Sequence, residues 1–260
     1  MKNKYKGLSK DEIYLISRAE FEKQKLITTA FVQKVFEDKN KAARILVHLK
    51  RKGRILRIEK GKYLPVPLKA PNQRWMPNEF LVASLWMGDT PYYIGYSSAY
   101  NYWGLTEQVP QTVFILNTQK GLKKIIGKVA YSAVKISSKK IYGLDKINIE
   151  DEIVFISDRE RTLVDFIYKP MGAWANVESL IGEQLKEISV EKLIRYLVRF
   201  PIVSVRKRAG LMLQRLGISQ KILSPLQCSI GNENTYITFN PFIKSRKGKV
   251  NREWKVILNG

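Results

Sequence analysis

Four of the ten prolines in this 260-residue chain fall within fourteen residues, LPVPLKAPNQRWMP, from Leu64 to Pro77. A stretch with that many prolines cannot run as a helix or a central strand, because each proline lacks a backbone N–H and restricts the residue before it. With no apolar periodicity either, the segment reads as a linker over 68–78, dividing the chain into residues 1–67 and a larger piece, 79–260. Hydrophobic residues make up 45% and charged residues 27% of the whole, a globular balance that excludes disorder and fibrous repeats.

The charge is lopsided. Lys and Arg number 46 against 23 Asp and Glu, a formal net charge of +23. Such an excess concerns partners more than fold, and nucleic acid is the commonest polyanion to attract it. Residues 1–67 alone hold 13 Lys and 5 Arg against 7 acids. The lone Cys228 and the lone His48 leave no internal disulfide, zinc cluster or Ser/His/Asp triad to assemble, so a reducing compartment and no cofactor are expected. No apolar run approaches the roughly 18 residues of a membrane helix, and the N-terminus has no signal-type apolar core. A cytoplasmic protein without membrane contact is the expectation.

Before the linker the pattern gives three helices and a hairpin. Ser9 with Glu12 is a capping box opening a helix whose inner face holds Ile13, Ile16, Ala19 and Phe21. Thr28 or Thr29 caps a second helix, and Glu37 to Asn40 form a polar turn. In KAARILVHLKRKG, Ala42, Ala43, Leu46, Val47 and Leu49 make one apolar stripe, and Gly53 stands where a left-handed stop is expected. Ile55 to Leu64 then turn at Glu59, Lys60 and Gly61 as a hairpin.

Two short helices, a turn, a third helix and a basic hairpin are the parts of a winged helix-turn-helix, and the cations fall where that fold meets DNA. From Lys39 to Lys62 there are ten cations against one acid, Glu59. The third helix would offer Lys39, Asn40, Lys41, Arg44 and His48 outward, with Arg44 suited to guanine and Asn40 to adenine. Arg57, Lys60 and Lys62 on the hairpin would meet phosphates or the minor groove, and Thr28 and Thr29 are counted among the DNA-binding candidates.

Three segments then resemble the AbiEi family of antitoxins and transcriptional regulators of viral-defence systems. The stretch from Thr28 to Pro67 is similar to the family's N-terminal winged helix, YIGYSSAYNYWGLTEQVP (Tyr93–Pro110) to a family segment with a Ser-Ala pair and a Gly-Leu-Thr run, and SDRERTLVDFIYKP (Ser157–Pro170) to a helix opening with an acidic-Arg-Thr-Leu-Val-Asp pattern. The resemblance spans most of residues 28–216. Relatives often carry Gly-Gly after the position of Pro170, where this chain has Met171, Gly172, Ala173 and Trp174; residues 225–260 resemble nothing specific. What the resemblance implies is a repressor that binds operator repeats in its own promoter and counteracts a nucleotidyltransferase-type toxin.

The second piece reads as mixed α and β, giving an α+β class overall. Strands are expected at 92–94, 112–116, 129–136, 153–156, 235–240 and 253–258. Helices are expected at 79–87, 97–103 with a Ser97 or Ser98 cap, 158–168, 175–187, 189–199 and 203–216. Lysine-rich 119–140 and the acid-free run 192–221 would extend the basic surface. Asp158, Glu160 and Asp165 are the densest carboxylates, but two-residue spacing points the first pair about 200° apart on a helix, so Asp158 suits an N-cap better than a metal site. The aromatics of Tyr92–Trp103 suit a core better than base stacking. The rival readings are a nuclease-like enzyme and an RNA or ribosome binder.

Overall fold

The computed structural model describes residues 7–68, 75–231 and 233–259. Its class is mixed α+β. In chain order the first elements are α1 (Lys10–Phe21), β1 (Ile27–Thr28), α2 (Thr29–Phe36), α3 (Lys39–Arg51), β2 (Ile55–Glu59), β3 (Lys62–Pro65) and α4 (Glu79–Met87). Then come β4 (Tyr92–Ile94), α5 (Ser97–Tyr102), β5 (Thr112–Asn117), β6 (Leu122–Ile126), β7 (Val129–Lys135), β8 (Leu144–Ile149) and β9 (Glu152–Ser157). The remainder is α6 (Arg159–Tyr168), α7 (Trp174–Gln184), α8 (Val190–Arg199), α9 (Val203–Arg215), α10 (Gln220–Ile230), β10 (Ile237–Thr238), β11 (Lys249–Asn251) and β12 (Val256–Leu258).

Two compact units result, and the chain passes between them more than once. The first holds the residues up to Asp89 together with Lys123–Tyr131; the second holds Thr90–Leu122 and everything from Ser132. The division therefore does not fall at the proline-rich stretch. Leu64 and Pro65 belong to β3, residues 69–74 of the expected linker lie outside the described residues, and α4 sits in the first unit. Every residue of α4 from Leu81 to Met87 is buried, as an all-round apolar helix must be.

In the first unit Ser9 and Glu12 close the expected capping box on α1. The inward face is Glu12, Leu15, Ile16 and Ala19, whereas Ile13 and Phe21 are exposed, Phe21 at 88%. The difference follows from helical geometry: with Leu15 and Ile16 inward, Phe21 lies on the opposite side. Thr28 caps α2, its hydroxyl accepting from Phe31 N–H at 3.0 Å. The α2–α3 turn is only Glu37 and Asp38; Glu37 takes the left-handed conformation (φ 55°), and Asp38 caps α3. Lys39 and Asn40 thus stand inside the first turn of α3 rather than in the loop. The core stripe of α3 is Ala42, Ile45, Leu46 and Leu49, a clean i, i+3, i+4, i+7 set, and Ala43 and Val47 face out. A three-stranded antiparallel sheet in the order β1-β3-β2 closes the unit, pairing Ile27 with Tyr63 and Leu56 with Leu64.

The second unit is built on strands ordered β5-β4-β9-β8, in which β4 and β9 run parallel. Its core joins Tyr93, Tyr100, Val164, Ile181, Leu197, Met212 and Trp254, with aromatic and aliphatic side chains from α5 to α10. A small sheet, β10-β12-β11, ends the chain. No helix among the described residues is long and apolar enough to cross a membrane.

Candidate nucleic-acid interface

The geometry of α3 decides which cations are free. Asp38 accepts hydrogen bonds from Asn40 N–H (2.7 Å) and Lys41 N–H (3.1 Å), which hold its carboxyl below its ordinary range and anchor the helix start. The exposed side of the helix then carries Lys39, Asn40, Ala43, Arg44, Val47, His48, Lys50 and Arg51. Among the described residues the side chains of Asn40, Arg44 and His48 make no hydrogen bond or ion pair. Ala43 and Val47, the latter 62% exposed, put methyl groups between them.

Lys41 does not join this face. Its ammonium pairs with Asp11 on α1 at 3.0 Å and lies 4.9 Å from the Phe36 ring. Ala42 is inward, so the preceding and following side chains fan to either side, and Lys41 falls on the α1 side. On the hairpin, Arg57 and Lys60 are exposed, with Arg57 Nε reaching only the Glu59 carbonyl at 3.4 Å. Lys62 is tied to Glu59 at 2.7 Å. Thr28 spends its hydroxyl on the α2 cap, and Thr29 N–H bonds the Gly61 carbonyl at 2.9 Å, fixing α2 against the β2–β3 turn.

One contribution came from far along the chain. The end of the β6–β7 hairpin, Lys123–Tyr131, belongs to the same unit: Lys124 Nζ on β6 donates to the Ile58 carbonyl on β2, and a Cβ on Gly127 would touch Leu56 at 3.4 Å. Lys123 on β6 and Lys128 in the turn are exposed. The lysine density of 119–140 was the available signal; that it backs β2 is a tertiary fact no local pattern encodes.

Of the other expected basic residues, Arg195, Arg199, Arg215 and Lys221 are exposed, while three more are structural. Within 192–221, Lys207 is fully buried and donates to the Thr235 carbonyl at 2.6 Å, Arg206 bonds the Ser229 carbonyl at 2.6 Å, and Arg208 bonds the Thr238 carbonyl at 2.9 Å. These three cations staple α9 to the chain end. They do not extend a basic surface.

The acids of Ser157–Pro170 are equally committed. Asp158 caps α6 through Arg161 N–H at 2.7 Å and accepts from Tyr196 Oη at 2.9 Å. Contrary to the divergence expected from spacing, Lys192 reaches both Asp158 (3.1 Å) and Glu160 (2.9 Å), because Asp158 is a non-helical cap residue. Arg161, fully buried, clasps Asp165 at 2.7 Å and Tyr93 Oη at 2.8 Å. Burial works against its charge, yet Asp165 beside it raises the Arg161 pKa. Among the described residues no group of three His, Cys, Asp or Glu side chains is placed to hold a metal. Tyr92, Tyr93, Tyr96 and Tyr100 are buried in the core. Ser97 and Ser98 do not cap α5; Ser98 instead receives Phe114 N–H at 2.9 Å.

The fold has a solved counterpart. The chain is similar to the crystal structure of the RV2827C protein from Mycobacterium tuberculosis, with a TM-score of 0.63 and 16% identity over 96% of this chain and 92% of that one. At that identity the likeness extends to the fold alone. No family model matches the chain, and neither does any curated protein.

Proposed function

We propose that this protein is a DNA-binding transcriptional repressor whose first unit is a winged helix-turn-helix, with α3 as the recognition helix and the β2–β3 hairpin as the wing. The observation that carries the reading is the outward face of α3. A polar, cationic stripe of Asn40, Arg44 and His48 makes no side-chain hydrogen bond or ion pair among the described residues and is interleaved with the small apolar Ala43 and Val47. That combination suits a major groove: Arg and Asn for purine edges, methyl groups for thymine. Lys39, Arg51, Arg57, Lys60, Lys123 and Lys128 surround it as phosphate contacts. Repression is steric and needs no cofactor. The resemblance of its three segments to AbiEi proteins extends the proposal to an antitoxin acting against a nucleotidyltransferase-type toxin.

The test is duplex binding as a function of salt. If several phosphates are neutralised, log K falls with log salt by about 0.9 for each contact. A slope near zero on duplex DNA, or a preference for structured RNA over its own promoter, overturns the reading.

A further inference from the structure

A cavity of about 740 Å³ lies wholly within the first unit, between β2 and the β6–β7 turn. Its walls are largely apolar: Leu56, Val66, Val82 and Ile126, with the aromatic Trp75 and Tyr131. Three cations, Lys50, Arg57 and Lys128, also line it, and no acid does. Lys50 and Lys128 make no ion pair among the described residues, and Arg57 has only a backbone carbonyl. An apolar chamber of the size that holds small molecules, edged by unneutralised positive charge, selects a ligand with a matching division.

We propose that this cavity binds an amphipathic organic anion, with a hydrocarbon or aromatic body against Leu56, Val66, Val82 and Ile126 and a carboxylate or similar head at Lys50, Arg57 and Lys128. A cationic head meets like charge, and a small inorganic anion leaves the walls wet. The wall comes from four separate pieces of chain, so an occupant holds β2 and the β6–β7 turn together. Binding of the anion does not depend on the DNA reading. Its consequence does: Arg57 and Lys128 are also assigned to DNA backbone, so an occupied cavity should loosen operator binding.

The experiment uses the full chain and dodecanoate below its micelle concentration, followed by calorimetry and by Trp fluorescence, since Trp75 lines the cavity. One saturable site is expected, binding at least about tenfold more tightly than dodecyltrimethylammonium, which carries the same tail. Shortening the chain from twelve carbons should weaken binding by about fourfold per methylene. Lys128→Gln, an exposed substitution, should weaken dodecanoate but not the cationic amphiphile. Val129→Phe should block both, with an unchanged melting temperature showing that the fold persists. Equal affinity for the two head groups, indifference to both substitutions, or binding only to phosphatidylglycerol vesicles overturns the proposal. If dodecanoate binds as described while DNA does not bind at all, the ligand site stands and the repressor reading falls.

Discussion

Arg44 and Lys60 are both exposed cations of the first unit, yet their positions assign them different work. Arg44 stands on the outer face of α3 beside Ala43 and Val47, where a guanidinium can chelate a guanine edge; Lys60 stands at the tip of the β2–β3 turn, where a point charge meets backbone. Arg44→Ala and Asn40→Ala should therefore cost about 1–3 kcal/mol on operator DNA and flatten the preference over random duplex. Lys60→Ala should weaken both DNAs alike and reduce the salt slope by about 1. Measured titrations in which the two classes of variant behave identically would remove α3 from the groove. A second residue-scale prediction concerns stability. Burial alone would push the Glu12 carboxyl up, but Lys52 at 2.6 Å and the Ser9 N–H at 2.6 Å bring it below its ordinary value. A depressed folded pKa gives stability that is present above the unfolded value and lost as pH falls through the folded one. Glu12→Gln should thus destabilise at neutral pH, by an amount that shrinks in acid. Denaturant melts in which the variant's deficit is the same at pH 7 and pH 3 would show that the Glu12 charge adds nothing.

Elements were legible where local pattern and burial agree. The helix Glu79–Met87 and the strand Tyr92–Ile94 are readable to the residue, since a cap or turn abuts an apolar run. The stripe of α3 was misread by including Ala43 and Val47, because alanine and valine look inward by type and only the i, i+3, i+4 geometry of Ile45 and Leu46 tells otherwise. Helix α10 escaped because Pro225 lies inside it, although Leu223, Leu226 and Ile230 keep helical spacing. Strands β1, β6, β8 and β11 are short or polar and exist through their pairing partners. At the candidate site the residue types were readable from charge density, but the loss of Lys41 to Asp11 and the arrival of Lys123 and Lys128 depend on contacts distant in sequence. This carries a prediction about fragments. Residues 1–67 lack α4, which packs on β2, and the end of the β6–β7 hairpin, where Lys124 of β6 bonds Ile58. The isolated fragment should melt without a sharp transition, at a temperature well below that of the full chain, and should bind operator weakly. A cooperative melt and full operator affinity for 1–67 would mean that neither addition matters.

At the scale of the molecule, the chain's return to the first unit at Lys123–Tyr131 decides how the two proposed functions can be separated. Removing residues 1–77 would expose α4, buried along Leu81–Met87, and would strip the β6–β7 turn of β2, so a loss of function in that truncation would report misfolding as readily as a missing activity. Point changes on the outer face of α3 avoid this, since Asn40 and Arg44 are exposed and support no packing. The residues of the AbiEi-like segments Tyr93–Pro110 and Ser157–Pro170 lie in the second unit, and Arg161, Asp165 and Tyr93 there form one buried, hydrogen-bonded cluster. If DNA reading belongs to α3 and toxin neutralisation to the second unit, the full-length Asn40→Ala, Arg44→Ala double variant should lose repression of its promoter in a reporter assay. It should still rescue cells from a co-expressed cognate nucleotidyltransferase toxin supplied from an independent promoter. Conversely, Arg161→Ala, which strands the buried Asp165 charge at a cost of about 3–5 kcal/mol, should abolish rescue through loss of the folded second unit. Should the α3 double variant be folded, be unable to repress and also fail to rescue, neutralisation runs through the DNA-binding unit, and the assignment of one function to each unit is wrong.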